Sequence, residues 1–290
     1  MINELLLSLI YTFIFGSMYL GIALGFSIVT GILRIFNLAY PIFFLIAAYG
    51  TWLFWMDLNL PFMLSIALSF VLVAVASYLV YKFVVNKFME AEDYMLAALI
   101  LIFLAVERVI SIVYPEAAGV FIPTRVIEGS VNVGPASLPG QYFVIALVSL
   151  IMTALYVMFF MKTKTGLIMR AISQSYLVSR IIGVNFNLMF VIAMILGSIP
   201  PAVVMLLLAP VWALNPFIGW TLFAYGIMVA VLGGLGNLKG TIIAAYVIGA
   251  IYSFVAYLIN PRLAGLACLV VVVIILALKP RGLARAETIW

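Results

Sequence analysis

Nine apolar runs, each about as long as a bilayer's hydrocarbon core is thick, decide what this chain can become. They fall at 5–28, 38–56, 61–81, 94–113, 141–161, 186–208, 219–235, 239–259 and 263–278 of 290 residues. In lipid there is no water to satisfy backbone amides and carbonyls, so each run is expected to close its hydrogen bonds within itself as a helix. Only 8% of the residues are charged. A soluble globular domain carries about a quarter, so that class is excluded. The expected fold class is all-α: a polytopic membrane protein of eight to nine transmembrane helices, a single domain over 1–290. Glycine and asparagine in 5–56 and 219–259 are expected to break some of these spans into half-helices. Glu4 and the absence of Lys or Arg before the first run argue against a secretory signal peptide, so 5–28 reads as a retained span.

Basic residues set the expected orientation, because cytoplasmic loops carry the excess of Lys and Arg. With the N-terminus outside, the inner segments hold Arg34, Lys82, Lys87, Lys162, Lys164, Arg170, Arg180, Lys239, Lys279, Arg281 and Arg285, which is 11 of the 14 basic residues. Arg108, Arg125 and Arg262 are the other three. This places the C-terminus in the cytoplasm and makes the chain multi-pass in the cell membrane. The net charge of +5 thus reports topology and does not point to nucleic acid. The chain has no histidine and a single cysteine, Cys268. No metal ligand set, disulfide, carboxylate pair or Ser/Lys dyad is legible, and no cofactor is expected.

The segment Lys162–Asn185 differs from all the rest. It carries Lys162, Lys164, Arg170 and Arg180 with no acid. From 166 to 182 it reads as one helix, with Ile168, Ala171, Ile172, Ser175, Val178, Ser179 and Ile182 recurring on one face. Gly183 stands where a glycine ends a helix. Two readings stay open on the residues alone: a membrane-surface helix that binds acidic lipid, or a surface on which a cytoplasmic protein docks.

The run GGLGNLKGT at 233–241 is not a phosphate-binding loop. Such a loop needs G-x-x-x-x-G-K-[ST], and here Lys239 precedes Gly240. Gly236 and Gly240 instead suit a sharp turn and close helix packing. Arg34-Ile-Phe-Asn37-Leu and Leu235-Gly-Asn237-Leu-Lys239 form a faint echo, each placing a helix-capping asparagine at the cytoplasmic start of a span. Glu107 and Arg108 are adjacent charges inside a span, read as a pair or as an arginine snorkelling to the outer interface. The Gly- and Pro-rich stretch 114–140, with Glu116 and Glu128, reads as an external hairpin or extended loop. The stretch 209–220, with two prolines and two tryptophans, reads either as ordinary interfacial anchoring or, together with 114–140, as a docking face for an external partner.

Several stretches together resemble the smaller integral-membrane permease of branched-chain amino acid ABC transporters, a family that also serves urea and short amides. They are GSMYLGIALGFSIVTGILRIFNLAY (16–40), RAISQSYLVSRIIGVN (170–185), NPFIGW (215–220), AVLGGLGNLKGTIIAAYVIG (230–249) and LKPRGL (278–283). The resemblance implies that 162–185 is the cytoplasmic coupling loop, with Arg170, Gln174, Arg180 and Gly183 engaging an ATPase. It implies a path near Asn37, Tyr40, Gly233, Gly234, Gly236, Asn237 and Gly240. Its implied partners are a second permease subunit, two ATP-binding subunits, an external solute-binding protein and membrane lipid; ATP hydrolysis falls to the partners. The expected solutes are branched-chain amino acids or related small polar molecules. Two departures stand out. Asn37-Leu-Ala-Tyr40-Pro41 replaces an asparagine-phenylalanine-alanine-histidine-glycine run, and Gln174 and Ser175 replace acids of the coupling loop. The resemblance favours docking over lipid binding for 162–185. The competing function is an autonomous channel or secondary transporter, which needs no ATPase.

Overall fold

A computed structural model describes residues 2–114, 122, 126–127, 129–133, 136–174, 179, 183–280 and 282–283. The helices are α1 (Ile2–Leu33), α2 (Pro41–Trp52), α3 (Phe62–Val80), α4 (Glu92–Val113), α5 (Gly140–Lys162), α6 (Lys164–Gln174), α7 (Phe186–Leu208), α8 (Ile218–Gly233), α9 (Leu238–Leu258) and α10 (Pro261–Leu278). π-helical turns, Leu53–Asp57 and Tyr81–Val85, extend α2 and α3. Among the described residues, seven helices are long and apolar enough to cross a membrane, and two shorter apolar helices, Pro41–Asp57 and Ile218–Gly233, complete nine. The nine match the nine apolar runs. The glycines and asparagines of 5–56 and 219–259 fall mainly at span ends or packing contacts, so these spans stay continuous, with α2 and α8 as the short ones.

α1 is the axis. From Ile14 to Leu33 it is buried on every side, enclosed by α5, α7, α8 and α9. A helix that is apolar all round has no lipid-facing stripe and belongs in the interior. Close approach is made possible by small residues. A Cβ on Gly25 would lie 2.0 Å from the Gly197 carbonyl oxygen of α7, and one on Gly249 of α9 would lie 2.6 Å from Gly16 Cα. Polar groups tie the same seams, with Ser27 Oγ 2.9 Å from Thr241 Oγ1 and Ser17 Oγ 2.9 Å from Tyr246 Oη.

α7 contains Pro200 and Pro201, both buried. A proline has no N–H, so each leaves the carbonyl four residues earlier without its helical donor. For Pro200 that carbonyl is Leu196, and Tyr156 of α5 donates its hydroxyl to it at 2.6 Å. For Pro201 it is Gly197, the oxygen against which α1 packs at Gly25. The kink-prone helix is thereby fitted to both neighbours.

The two ends of the bundle differ. One gathers the basic segments: the end of α1, the α3–α4 corner, α6, the α8–α9 turn and the end of α10. The other carries an antiparallel hairpin, β1 (Ser130–Val133) and β2 (Ala136–Pro139), with Ser130 opposite Pro139. The expected hairpin is therefore present. Gln141 fastens it: the side chain accepts from Val126 N at 3.1 Å and donates to Leu207 O at 2.8 Å. Tyr114 donates its hydroxyl to Asp57. Burial and then this carboxylate raise the phenol above its ordinary pKa. Glu116, Glu128 and Arg125 lie outside the described residues. Glu107 turns inward on the stripe Met95, Leu99, Phe103, whereas Arg108 is exposed. They face apart, which fits snorkelling and not pairing.

Candidate coupling and translocation site

α6 begins where α5 ends. Thr163 makes the break: its Oγ1 accepts from Gly166 N at 3.0 Å, an N-cap, and donates to Phe159 O at 2.7 Å. Gly166 allows the fold-back, since a Cβ there would lie 2.5 Å from Phe159 O. α6 is amphipathic, and Gly166, Met169, Ile172 and Ser173 are buried against its own chain. The outward stripe is Lys164, Leu167 and Gln174, with Leu167 50% exposed. The apolar face containing Ile172 is therefore packed within the chain itself, and the exposed stripe of the helix is the one with Leu167 and Gln174.

Arg170 is half-buried. It lines a small space with Ser27, Ile28, Ile32, Phe160, Gly236 and Leu238, so it reaches inward to the seam of α1 and the α8–α9 turn. Arg180, with Ser175, Val178 and Ile182, lies outside the described residues. Gly183 has φ +77°, the left-handed region expected of a glycine that ends a helix. Val184 N donates to Ser179 O at 3.3 Å, the bond a Schellman cap makes across such a glycine.

The second group of sequence-marked residues splits in two. Gly233, Gly234, Gly236, Asn237 and Gly240 come together in the α8–α9 turn. Gly234 and Gly236 have φ of +92° and +78°. Asn237 caps α9 by accepting from Gly240 N at 2.9 Å. The turn presses on the end of α1, where a Cβ on Gly236 would lie 2.5 Å from Gly31 Cα. Leu283 N, beyond α10, donates to Leu232 O at 2.8 Å and closes this end.

Asn37 and Tyr40 are fully buried between α1 and α2. Asn37 accepts from Ala39 N at 3.1 Å within the turn before α2, whose N-cap residue Tyr40 makes no side-chain cap, so of the two asparagines of the echo only Asn237 caps a helix. Tyr40 donates to Ile22 O at 2.7 Å and packs edge-on against Phe26, Phe43 and Phe44. Pro41 occupies the first turn of α2, where its missing N–H costs nothing. The Tyr-Pro pair is thus a structural joint between α1 and α2.

Reasoning on the sequence missed Arg34 as a site residue. It has φ +56° directly after α1, and its Nη2 donates to Ser173 O of α6 at 2.7 Å. A polar cleft of about 630 Å³ opens beside that bond, lined by Arg34, Asn86, Lys87, Glu90, Ile172 and Asn187 among others. Only the position of Arg34 one residue past a buried helix hinted at this.

Among the described residues, nine apolar helices, the first of them buried among the others, with one basic amphipathic helix folded against the basic end, define a polytopic transport protein of the permease class. The chain belongs to the family described as branched-chain amino acid transport system / permease component, which matches residues 8–278. It is a permease subunit of an ABC importer. The high-affinity branched-chain amino acid transport system permease protein BraD of Pseudomonas aeruginosa is 24% identical over 286 residues, covering 92% of each chain. The corresponding protein LivH of Salmonella typhimurium is 22% identical over 291 residues, covering 92% of this chain and 91% of the relative. LivH of Escherichia coli K12 gives the same figures. No solved structure matches the chain significantly.

Proposed function

We propose that the chain forms half of the translocation path of an importer for branched-chain amino acids or closely related small zwitterions. The names of its relatives motivate the substrate class. A path poor in fixed charge suits a solute whose own charges cancel. The second permease subunit, two ATP-binding subunits and an external solute-binding protein complete the importer. The basic end faces the cytoplasm and the hairpin end faces outward, in keeping with the placement of Lys and Arg.

One observation carries the mechanism: α6 is a basic amphipathic helix whose inner face is seated on its own spans while the Leu167 stripe stays open. The chain carries no phosphate-loop motif, so force must come from another subunit. The ATP-binding subunit takes the Leu167 stripe. Its closure displaces α6, and Arg170 passes the displacement to Gly236 and Leu238. The Gly31–Gly236 junction then parts and opens the path to alternate sides. Lipid binding by the lysines is secondary.

Reconstitution tests this. Leucine uptake into proteoliposomes should require the ATP-binding subunits and ATP, and Leu167→Asp should abolish their docking. Uptake by the chain alone, driven by the leucine gradient, would establish an autonomous channel or secondary transporter instead.

A further inference from the structure

α1 ends at Leu33, and the next residue is left-handed. A glycine adopts that conformation freely after a helix, whereas an L-residue with a side chain is strained there. The chain has 21 glycines, several of them in such turns, yet arginine stands at position 34. The strain places its guanidinium on Ser173 O of α6 at 2.7 Å, 139 residues away in sequence. A hydrogen bond from a charged donor is about twice as strong as a neutral one. Beside this bond the 630 Å³ cleft lies between α6 and the α3–α4 corner, so α6 has open space on that side and the Arg34 bond ties it there to the end of α1. On its inner side Arg170 borders a small space shared with Gly236 and Leu238 of the α8–α9 turn. α6 is thus bonded to the end of α1 and faces, across that space, the turn against which that end packs.

We propose that Arg34 is a positioning residue of transport: it ties α6 to the end of α1, so that a displacement of α6 is delivered to the central helix. The proposal rests on the reading of α6 as the coupling helix. In this arrangement the ATP-binding subunit pulls α1 through the Arg34–Ser173 bond and pushes the α8–α9 turn through Arg170. The Gly31–Gly236 contact lies between the two and is loaded from both sides. Without the Arg34 link, α6 moves into the open cleft and the displacement is absorbed there.

Two substitutions separate the tether from the strain. Arg34→Gly fits φ +56° and removes the guanidinium; Arg34→Lys keeps a charge and a donor. The complete importer is reconstituted with each variant, and leucine transported per ATP hydrolysed is measured alongside amide exchange in 164–174. We expect Arg34→Gly to lower the ratio about tenfold, the equilibrium factor of one hydrogen bond to a charged group. Exchange in α6 rises in that variant, the ATP-binding subunits remain bound, and Arg34→Lys restores most of the ratio. If the parent complex couples and Arg34→Gly couples equally well, the Arg34 link is refuted. If both variants shed the ATP-binding subunits to the same extent, Arg34 has only a folding role and the proposal fails. If the parent chain assembles with no ATPase, the reading of α6 itself falls.

Discussion

Gly236 and Gly183 form a natural control pair, because their backbones match and their surroundings do not. Their φ angles are +78° and +77°. A Cβ on Gly183 meets nothing within 4 Å, whereas one on Gly236 lies 2.5 Å from Gly31 Cα and 3.2 Å from Gly31 N. Alanine at either position bears the left-handed strain, about 1 kcal/mol or somewhat more. At Gly236 it also collides with backbone. Carbon atoms settle about 3.5 Å apart, so the turn must retreat roughly 1 Å from α1. Gly31 has no side chain to yield, and the Ser27–Thr241 and Asn237–Gly240 bonds hold α9 in place. Overpacking of this kind costs about 1–3 kcal/mol. The expected losses are therefore about 1–2 kcal/mol for Gly183→Ala and about 2–5 kcal/mol for Gly236→Ala. Reversible unfolding of the purified chain in mixed micelles, followed by thiol reactivity of the buried Cys268, reads both. Equal losses would mean that the Gly31 contact adds nothing to stability and that only the dihedral matters. A larger loss at Gly183 would refute the reasoning outright.

Three further outcomes are expected. Tyr156→Phe leaves the Leu196 carbonyl, already without its helical donor because of Pro200, unsatisfied in the interior and should destabilise by about 1–3 kcal/mol; Pro200→Ala should recover part of this in the same titration by restoring an amide, and a null result for Tyr156→Phe would show that the 2.6 Å bond is immaterial. Asn237→Ala should cost about 1 kcal/mol as a lost N-cap, with Asn237→Ser nearly neutral, read in the same titration; equal losses for both would argue against capping. On a Cys268→Ala background, Ser137→Cys should label from outside intact cells and Gln174→Cys should not, since both positions are exposed but at opposite ends; the reverse pattern inverts the topology.

Much of the fold was legible because lipid leaves a long apolar run so few options. The nine runs became nine helices within a few residues at most ends, and turn chemistry announced the β1–β2 hairpin. Gly183 and Gly236 were marked by residue type, as only glycine takes φ near +77° without strain. The orientation of α6 was not legible. Its apolar periodicity identified a buried face but could not say whose atoms bury it, and Ile172 proved to lie against its own chain. Arg170 carried the same ambiguity, since a cation on an amphipathic helix reads as solvent-facing until the neighbouring turn is placed. Tyr40 looked like a lost ionisable group and is a buried donor to Ile22 O, a contact set by α1–α2 packing. Arg34 was beyond reach because its partner is 139 residues away.

The enclosure of α1 has a consequence for how the protein is made. α1 leaves the ribosome long before its principal partner, α9. Ser17 and Tyr246 are 229 residues apart, and Ser27 and Thr241 are 214 apart. At roughly 5–20 residues per second, α1 waits on the order of 10–45 s in the membrane with its glycine notches and hydroxyls uncovered. During that interval its notched surface is open to any small-residue helix that passes, including α1 of a sister chain. Newly made protein is most vulnerable to misassembly before α9 arrives, so translation speed across the middle of the message, far from any residue that touches the solute, should govern yield.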